Sequence, residues 1–225
     1  MRTFPAISLL AFLILLILMP LLFGELMAAS LVKLNITPRA ALLLAVAIIF
    51  GGAINIPVKR IEHDQTVTQH PLALFGLDTM WPQLQKMRRE TIIAINVGGC
   101  IIPAALSLWE LVHLAALGPQ AVISVAIACA MNIAVCYFLA RPVAGIGILL
   151  PGLVPALVAA VAALVLRPEA APPVAFVAGV AGPLIGADLL HLKEIEASAT
   201  GVASIGGAGT FDGIVLSGIV AAYLA

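Results

Sequence analysis

Long apolar segments, most of them close to the length of a bilayer crossing, constrain this chain more than any other feature of its sequence. A helix needs roughly 20 apolar residues to cross about 30 Å of hydrocarbon. Only 10% of the residues are charged, whereas soluble domains carry about 25%, so the chain lacks the polar side chains that a water-facing surface needs. We therefore predict an all-α, polytopic membrane helix bundle that forms a single transmembrane domain over residues 1–225.

About seven transmembrane helices are predicted from these segments. The longest polar stretch, residues 58–90, is interpreted as a cytoplasmic loop with a surface helix near 79–89, where Trp81 would lie at the lipid headgroups. The predicted spans are 6–24, 40–57, 91–112, 119–139, 143–166, 172–190 and 205–224.

Three Gly-Gly pairs interrupt the apolar segments, in FGGAINIPV (50–58), NVGGCIIPA (96–104) and IGGAG (205–209). Glycine pairs and prolines within a span break or kink a helix, which lipid tolerates where the freed backbone groups face protein or water. The alternative interpretation is close helix packing through small residues. Both interpretations are open from the sequence.

Lysine and arginine residues predict the orientation, because cytoplasmic loops carry an excess of them. With seven spans, one side of the membrane carries eight basic residues and the other side carries three, Lys33, Arg39 and Arg167. The larger set consists of Arg2, Lys59, Arg60, Lys86, Arg88, Arg89, Arg141 and Lys193. We therefore predict a multi-pass protein of the inner (plasma) membrane with a cytoplasmic N-terminus and an external C-terminus.

Two aspartates, Asp188 and Asp212, are predicted at similar depth on consecutive antiparallel helices. Thirteen residues follow Asp212, and at about 1.5 Å per residue they cover about 20 Å of the hydrocarbon core. Asp188 lies sixteen residues after Pro172, which is about 24 Å into its own span. Ionisable groups within a membrane are rare, costly and usually functional, so we predict a cytoplasm-facing polar cavity centred on this pair.

Polar and glycine residues predicted at the same depth complete the candidate site. As residues that bind a substrate we predict Asn55, Asn96, Asn132, Gly206, Gly207 and Gly209. Structural alternatives accompany each of these predictions. The asparagines would also serve as interhelical hydrogen-bonding groups, Asp212 in GTFDG is suited to capping the last helix, and Asp188 would otherwise lie at the interface beside His191 and Lys193.

The segments GADLLHLKEIE (186–196) and SIGGAGTFDGIVLSGI (204–219) resemble an uncharacterised prokaryotic multi-pass membrane family, domain-of-unknown-function family 1614. The stretch INVGGCIIPAALSLW (95–109) adds to this resemblance, which extends over nearly the whole chain. The family brings no established chemistry with it, so function is argued from the residues.

A second resemblance is to the presenilin-like and prepilin-peptidase-like intramembrane aspartyl proteases. Those enzymes pair a Tyr/Phe-Asp motif with a Gly-x-Gly-Asp motif, and the presenilin branch adds Pro-Ala-Leu. Here Phe211–Asp212 is similar to the first, Gly186–Asp188 is part of the second, and Pro155–Leu157 has the third. The full Gly-x-Gly-Asp spacing is not met, and the motifs occur in a different order.

Two carboxylates close together at low dielectric share a proton, so one acts as a base toward water and the other as an acid toward a carbonyl. We therefore predict a presenilin-like diaspartyl intramembrane protease, with Asp188 and Asp212 catalytic and a transmembrane peptide as substrate. A proton- or cation-coupled transporter that uses the same aspartates is the first alternative. A non-catalytic membrane scaffold is the second.

Metal and cofactor sites have little support in the sequence. Carboxylates with imidazoles suit zinc, iron or manganese, and the candidate ligands are Asp188, His191, Glu194, Glu62, His63, Asp64 and His70. No HExxH motif, P-loop, dinucleotide fingerprint or GxSxG motif occurs, so no cofactor is predicted. Zero net charge predicts no nucleic-acid partner. The cysteines are interpreted as packing residues, and Glu110 with His113 as interfacial.

Overall fold

The computed structural model describes residues 18, 22–63, 89–143, 147–198 and 201–225. Most of these residues are helical, which confirms the predicted all-α helix bundle. Residues 22–33 form α1. The other helices are α2 Pro38–Gly51, α3 Ile102–Ala116, α4 Pro119–Leu139, α5 Val154–Leu166, α6 Ala171–Ala181, α7 Leu192–Ser198 and α8 Gly213–Leu224.

Two of the long helices contain π-helical segments. One of them, Val97–Ile101, leads directly into α3, and the other, Gly182–Leu189, continues α6. A π-helical turn widens the helix locally and is frequent at functional sites. A short 3₁₀ turn, Pro168–Ala170, precedes α6.

Three of the described helices are long and apolar enough to cross a membrane: Val97–Ala116, Pro119–Leu139 and Pro168–Leu189. The second of these matches its predicted span, 119–139. The shorter apolar helices are α2, α5 and α8. Seven crossings remain a prediction, and most of the predicted first span, 6–24, lies outside the described residues.

Strands occupy parts of the chain that we predicted as helix. A three-stranded sheet has the order β1-β2-β5, with β1 Asn55–His63 antiparallel and β5 Gly201–Ile205 parallel to β2 Arg89–Asn96. The first turns of the spans predicted to begin at residues 91 and 205 are therefore wrong. The β-branched run in Thr91–Ile95 suits a strand, and a short apolar run does not distinguish strand from helix.

Two further segments differ from the prediction. The span predicted over 143–166 begins with a hairpin of β3 Arg141–Val143 and β4 Gly147–Leu149, before α5 starts. Both ends of the predicted loop 58–90 belong to strands, β1 and β2. The rest of that loop, with Trp81 and most of the predicted surface helix, lies outside the described residues.

Helix α6 lies at the centre of the bundle, and almost every one of its side chains is buried. It packs against α3, α4, α5 and α8. A methyl group built on Gly179 would lie 2.7 Å from the Ser217 carbonyl oxygen, so α6 and α8 cross in direct backbone contact there. In lipid, no hydrophobic effect drives helices together, and association depends on close packing instead. Small residues permit this close approach of the backbones. This crossing fixes how the ends of the two helices lie relative to each other.

Candidate functional site

The three Gly-Gly pairs meet at one place, although they are far apart in the chain. A methyl group built on Gly98 would lie 2.4 Å from the Gly52 amide nitrogen, and one on Gly99 would lie 2.0 Å from the Gly206 carbonyl oxygen. One on Gly209 would lie 3.0 Å from the Gly52 Cα. Both interpretations of the pairs therefore hold, because the regular α-helical path is interrupted beside each pair and the backbones touch.

Asn55 and Asn96 face each other beside these glycines, at the ends of β1 and β2. The Asn96 side-chain amide donates to Asn55 Oδ1 at 3.0 Å and to the Gly52 carbonyl at 2.8 Å. The Ser204 hydroxyl of β5 donates to the same Asn55 oxygen at 2.6 Å. The two asparagines thus belong to one polar network that connects all three strands.

Asn96 also caps the helix that follows it. Its Oδ1 accepts a hydrogen bond of 2.7 Å from the Gly99 amide, which satisfies one of the unpaired donors at a helix N-terminus. The side chain is fully buried. All the hydrogen bonds it makes to described residues are structural, so its proposed contact with a substrate would have to be indirect.

Asp212 caps α8 in the way that the GTFDG sequence suggests. Its Oδ1 accepts from the Ile214 amide at 3.0 Å, and its Oδ2 accepts from the Ala208 amide at 3.3 Å. The turn before it contains Gly206 and Gly209 at φ values of 72° and 60°, which L-residues with a side chain rarely adopt. These glycines let the chain turn from β5 to a half-buried carboxylate that is fixed in orientation.

Asp188 lies in the π-helical segment that continues α6, and its side chain is half-buried. No described residue donates a hydrogen bond to its carboxylate. The nearby His191 bonds instead to backbone, with its Nδ1 at 3.2 Å from the Gly186 carbonyl and 3.0 Å from the Ala187 carbonyl. The Asp188 carboxylate therefore has no hydrogen-bond partner among the described residues, unlike the carboxylate of Asp212.

Asp188 and Asp212 lie close enough for their charges to interact. The crossing of α6 with α8 explains why. Asp188 comes nine residues after Gly179, and Asp212 comes five residues before Ser217. At about 1.5 Å per residue, the two aspartates lie on the same side of the crossing, about 13 Å and about 8 Å from it.

Cys100 is a member of this group that the sequence analysis did not identify. Its sulfur lies near both Asp188 and Asp212, and its side chain is buried. A methyl group built on Gly206 would lie 2.9 Å from the Cys100 Cβ. The sequence signal was present, because Cys100 directly follows the second Gly-Gly pair, but an apolar context favoured a packing role. Ser204 was missed in the same way.

Asn132 belongs to a different part of the bundle, the contact between α4 and α6. Its amide nitrogen donates to the Ala178 carbonyl at 2.8 Å, and a methyl group on Gly182 would lie 2.4 Å from that nitrogen. The side chain is fully buried. Asn132 therefore joins α4 to α6, as in the alternative interpretation, and among the described residues it makes no hydrogen bond to Asn55 or Asn96.

Among the described residues, no group of three or more His, Cys, Asp or Glu side chains is arranged as a metal site. His191 directs Nδ1 to backbone carbonyls, and its ring lies 4.9 Å from that of Tyr137. Asp64 and His70 lie outside the described residues, and the structure describes only the backbone of Glu62 and His63.

The cap at α8 gives a stability prediction. Asp212→Ala removes both backbone hydrogen bonds and should lower the free energy of unfolding by about 1 kcal/mol, a fall of about 2–4 °C in the melting temperature for a chain of this size. Asp212→Asn should stay within about 0.5 kcal/mol of wild type because asparagine caps equally well. Thermal unfolding in detergent measures both, and equal loss in the two variants would contradict the capping role.

Comparison with known proteins adds a family but no activity. Residues 49–224 match the family model described as Protein of unknown function (DUF1614). This range contains the three Gly-Gly pairs and both aspartates. No curated protein and no solved structure matches the chain.

Proposed function

We propose a function for this chain, which belongs to the DUF1614 family of proteins of unknown function, from the chemistry of its two aspartates. The proposal is an intramembrane peptidase of the aspartyl type, in which Asp188 and Asp212 act on a peptide bond of a membrane-embedded substrate. The observation that carries it is the proximity of the two carboxylates, one of which directly follows the turn where the glycine-rich backbones meet.

The two carboxylates hold one proton between them, because like charges this close in a low-dielectric site do not both ionise. The ionised carboxylate takes a proton from a water molecule while the water oxygen bonds to the carbonyl carbon of the substrate. The protonated carboxyl gives its proton to the carbonyl oxygen. The carboxyl group that took the water proton then gives it to the amide nitrogen, and the other carboxylate takes back a proton from one hydroxyl of the tetrahedral intermediate as the C–N bond breaks. This releases an amine and a carboxylic acid and returns the pair to its starting state.

The environments of the two carboxylates support different roles. Asp212 accepts two backbone hydrogen bonds at a helix N-terminus, and both the bonds and the helix dipole favour its charged form. Asp188 has no hydrogen-bond donor among the described residues. We therefore assign the initial base to Asp212 and the initial acid to Asp188.

The sheet supplies a place for an extended substrate. Among the described strands, β5 pairs with β2 on one side and with no strand on the other. An extended peptide adds to such an edge through main-chain hydrogen bonds. Because β5 leads through the Gly206–Gly209 turn to Asp212, a strand added there would extend toward the two carboxylates.

The test is cleavage of a fluorogenic transmembrane peptide by the purified protein in lipid vesicles, with blockade by a hydroxyethylene isostere of the peptide bond. Cleavage that the isostere blocks supports the proposal. Proton-coupled uptake of a solute without cleavage would instead favour the transporter. If the protein shows neither cleavage nor uptake, and cells whose protein lacks both aspartate carboxyl groups grow normally, the scaffold would be favoured.

Within the same proposal, the protein is a multi-pass protein of the inner (plasma) membrane with an external C-terminus, and the aspartates open toward the cytoplasm. The basic residues support this orientation. Alkaline phosphatase fused after Ala225 should be active in cells, whereas green fluorescent protein fused after the same residue should be dark. The reverse pattern would place the aspartates on the other side.

A further inference from the structure

Glu110 is buried against other helices of the bundle, and its predicted depth near the membrane interface stays a prediction. Its side chain is 2% exposed, and it lies in the apolar helix Val97–Ala116 that is long enough to cross a membrane. The face of α3 that carries it is turned inward, toward the core formed with α6. A carboxyl group within a span is costly and rarely lacks a function, and the proposed peptidase chemistry does not use this one.

Two polar atoms on this face have no hydrogen-bond partner in the part of the chain that the structure describes. They are Glu110 Oε1 and Ser107 Oγ, and no described residue bonds to either of them. Ser107 is also buried, and it precedes Glu110 by three residues, so the two side chains are neighbours on one helix face. Unpaired buried polar groups carry a large desolvation cost. Where two lie together, an ordered water normally bridges them.

The charges around Glu110 do not neutralise an ionised carboxylate. Among the described residues, the one titratable group whose charge reaches it is His113, one turn further along α3. His113 is exposed, and its Nδ1 lies 2.8 Å from the Trp109 carbonyl. An isolated carboxylate in an apolar interior takes up a proton instead of staying charged.

We propose that Glu110 and Ser107 form a buried proton-binding site. Glu110 holds the proton as a neutral carboxylic acid, and one water bridges the acid to the Ser107 hydroxyl. Loading transfers a proton from hydronium to the carboxylate, which leaves a neutral acid and a water. The His113 end of α3 is the route of exchange, because His113 is the titratable group next to the site and its described neighbours leave its side chain exposed.

This site is separate from the aspartate pair. Glu110 comes ten residues after Cys100, whose sulfur lies near both aspartates, a separation of about 15 Å along the helix. The inference therefore does not rest on the peptidase proposal. A variant that loses cleavage but keeps the Glu110 site, or one that loses the Glu110 site but keeps cleavage, would distinguish this inference from the peptidase proposal.

Infrared spectroscopy of the full chain in lipid vesicles at neutral pH tests the site, because a protonated carboxyl group has a carbonyl band distinct from that of a carboxylate. Glu110→Gln should remove one such band, and Glu110→Asp should shift it. Ser107→Ala should shift the same band by removing the bridge. Ser124→Ala is the matched control, since the Ser124 hydroxyl already donates to the Leu166 carbonyl at 3.3 Å, and it should leave the band unchanged.

Exchange into D₂O tests the route. His113→Phe should slow the isotope shift of the Glu110 band several-fold while leaving the band itself in place. A spectrum identical in wild type and Glu110→Gln overturns the site, and a band unmoved in Ser107→Ala overturns the bridge. Unchanged exchange in His113→Phe overturns the route.

Discussion

Replacing Asp188 or Asp212 with asparagine is expected to lower cleavage of a transmembrane peptide by about 10²- to 10⁴-fold, the usual contribution of a positioned acid or base. Asparagine has nearly the same shape as aspartate but neither takes nor gives a proton. Each single variant should lose about as much as the double variant, because the two groups act as one unit. Initial rates in vesicles that contain equal amounts of folded protein measure the effect.

The chain offers controls that separate this chemistry from folding. Asp212→Asn keeps the helix cap, so a loss of rate at an unchanged melting temperature reports the reaction itself. Glu169→Gln removes an exposed carboxylate that pairs with Arg167 at 3.0 Å before α6, and it should cleave at the wild-type rate. Full activity in Asp188→Asn would contradict the shared-proton mechanism.

The sequence predicts the helices best where apolar composition and helix boundaries agree. Helix α4 was predicted correctly at both ends, because an unbroken apolar run starts at Pro119 after Gly118 and is followed by Arg141 and Pro142. The cap by Asp212 was also recognisable, since GTFDG places a carboxylate directly before an apolar helix. Both are local features, and local sequence contains the information for them.

The sheet and the composition of the site were not predictable in the same way. Strand β2 pairs with β5, which is about a hundred residues away in the chain, and no local pattern specifies a long-range partner. Cys100 lies near the aspartates and beside the contact of Gly99 with Gly206, a placement that tertiary packing sets. The Gly-Gly repeat indicated helix breaks or close packing, but not which segments touch one another.

The backbone contact between the Gly-Gly pairs is expected to be the most substitution-sensitive part of the fold. Gly98→Ala and Gly99→Ala would each place a methyl carbon 2.0 Å from a carbonyl oxygen, that of Ile48 or that of Gly206. Both neighbours are main-chain atoms that move only with their whole segment, so we expect a loss at or above the usual overpacking cost of about 1–3 kcal/mol. The free energy of unfolding in mixed micelles and the yield of folded protein measure this.

Gly152→Ala is the matched control for this substitution, because a methyl group there would have no heavy atom within 4 Å. It should unfold within about 0.5 kcal/mol of wild type, as ordinary surface changes do. The Gly99 substitution should also reduce cleavage in the protein that still folds, since separating Gly99 from Gly206 moves the turn that leads to Asp212. If Gly98→Ala and Gly99→Ala were as stable as Gly152→Ala, the three glycine pairs would not be in contact, and the geometry that joins Asp212 to Cys100 would be wrong with them.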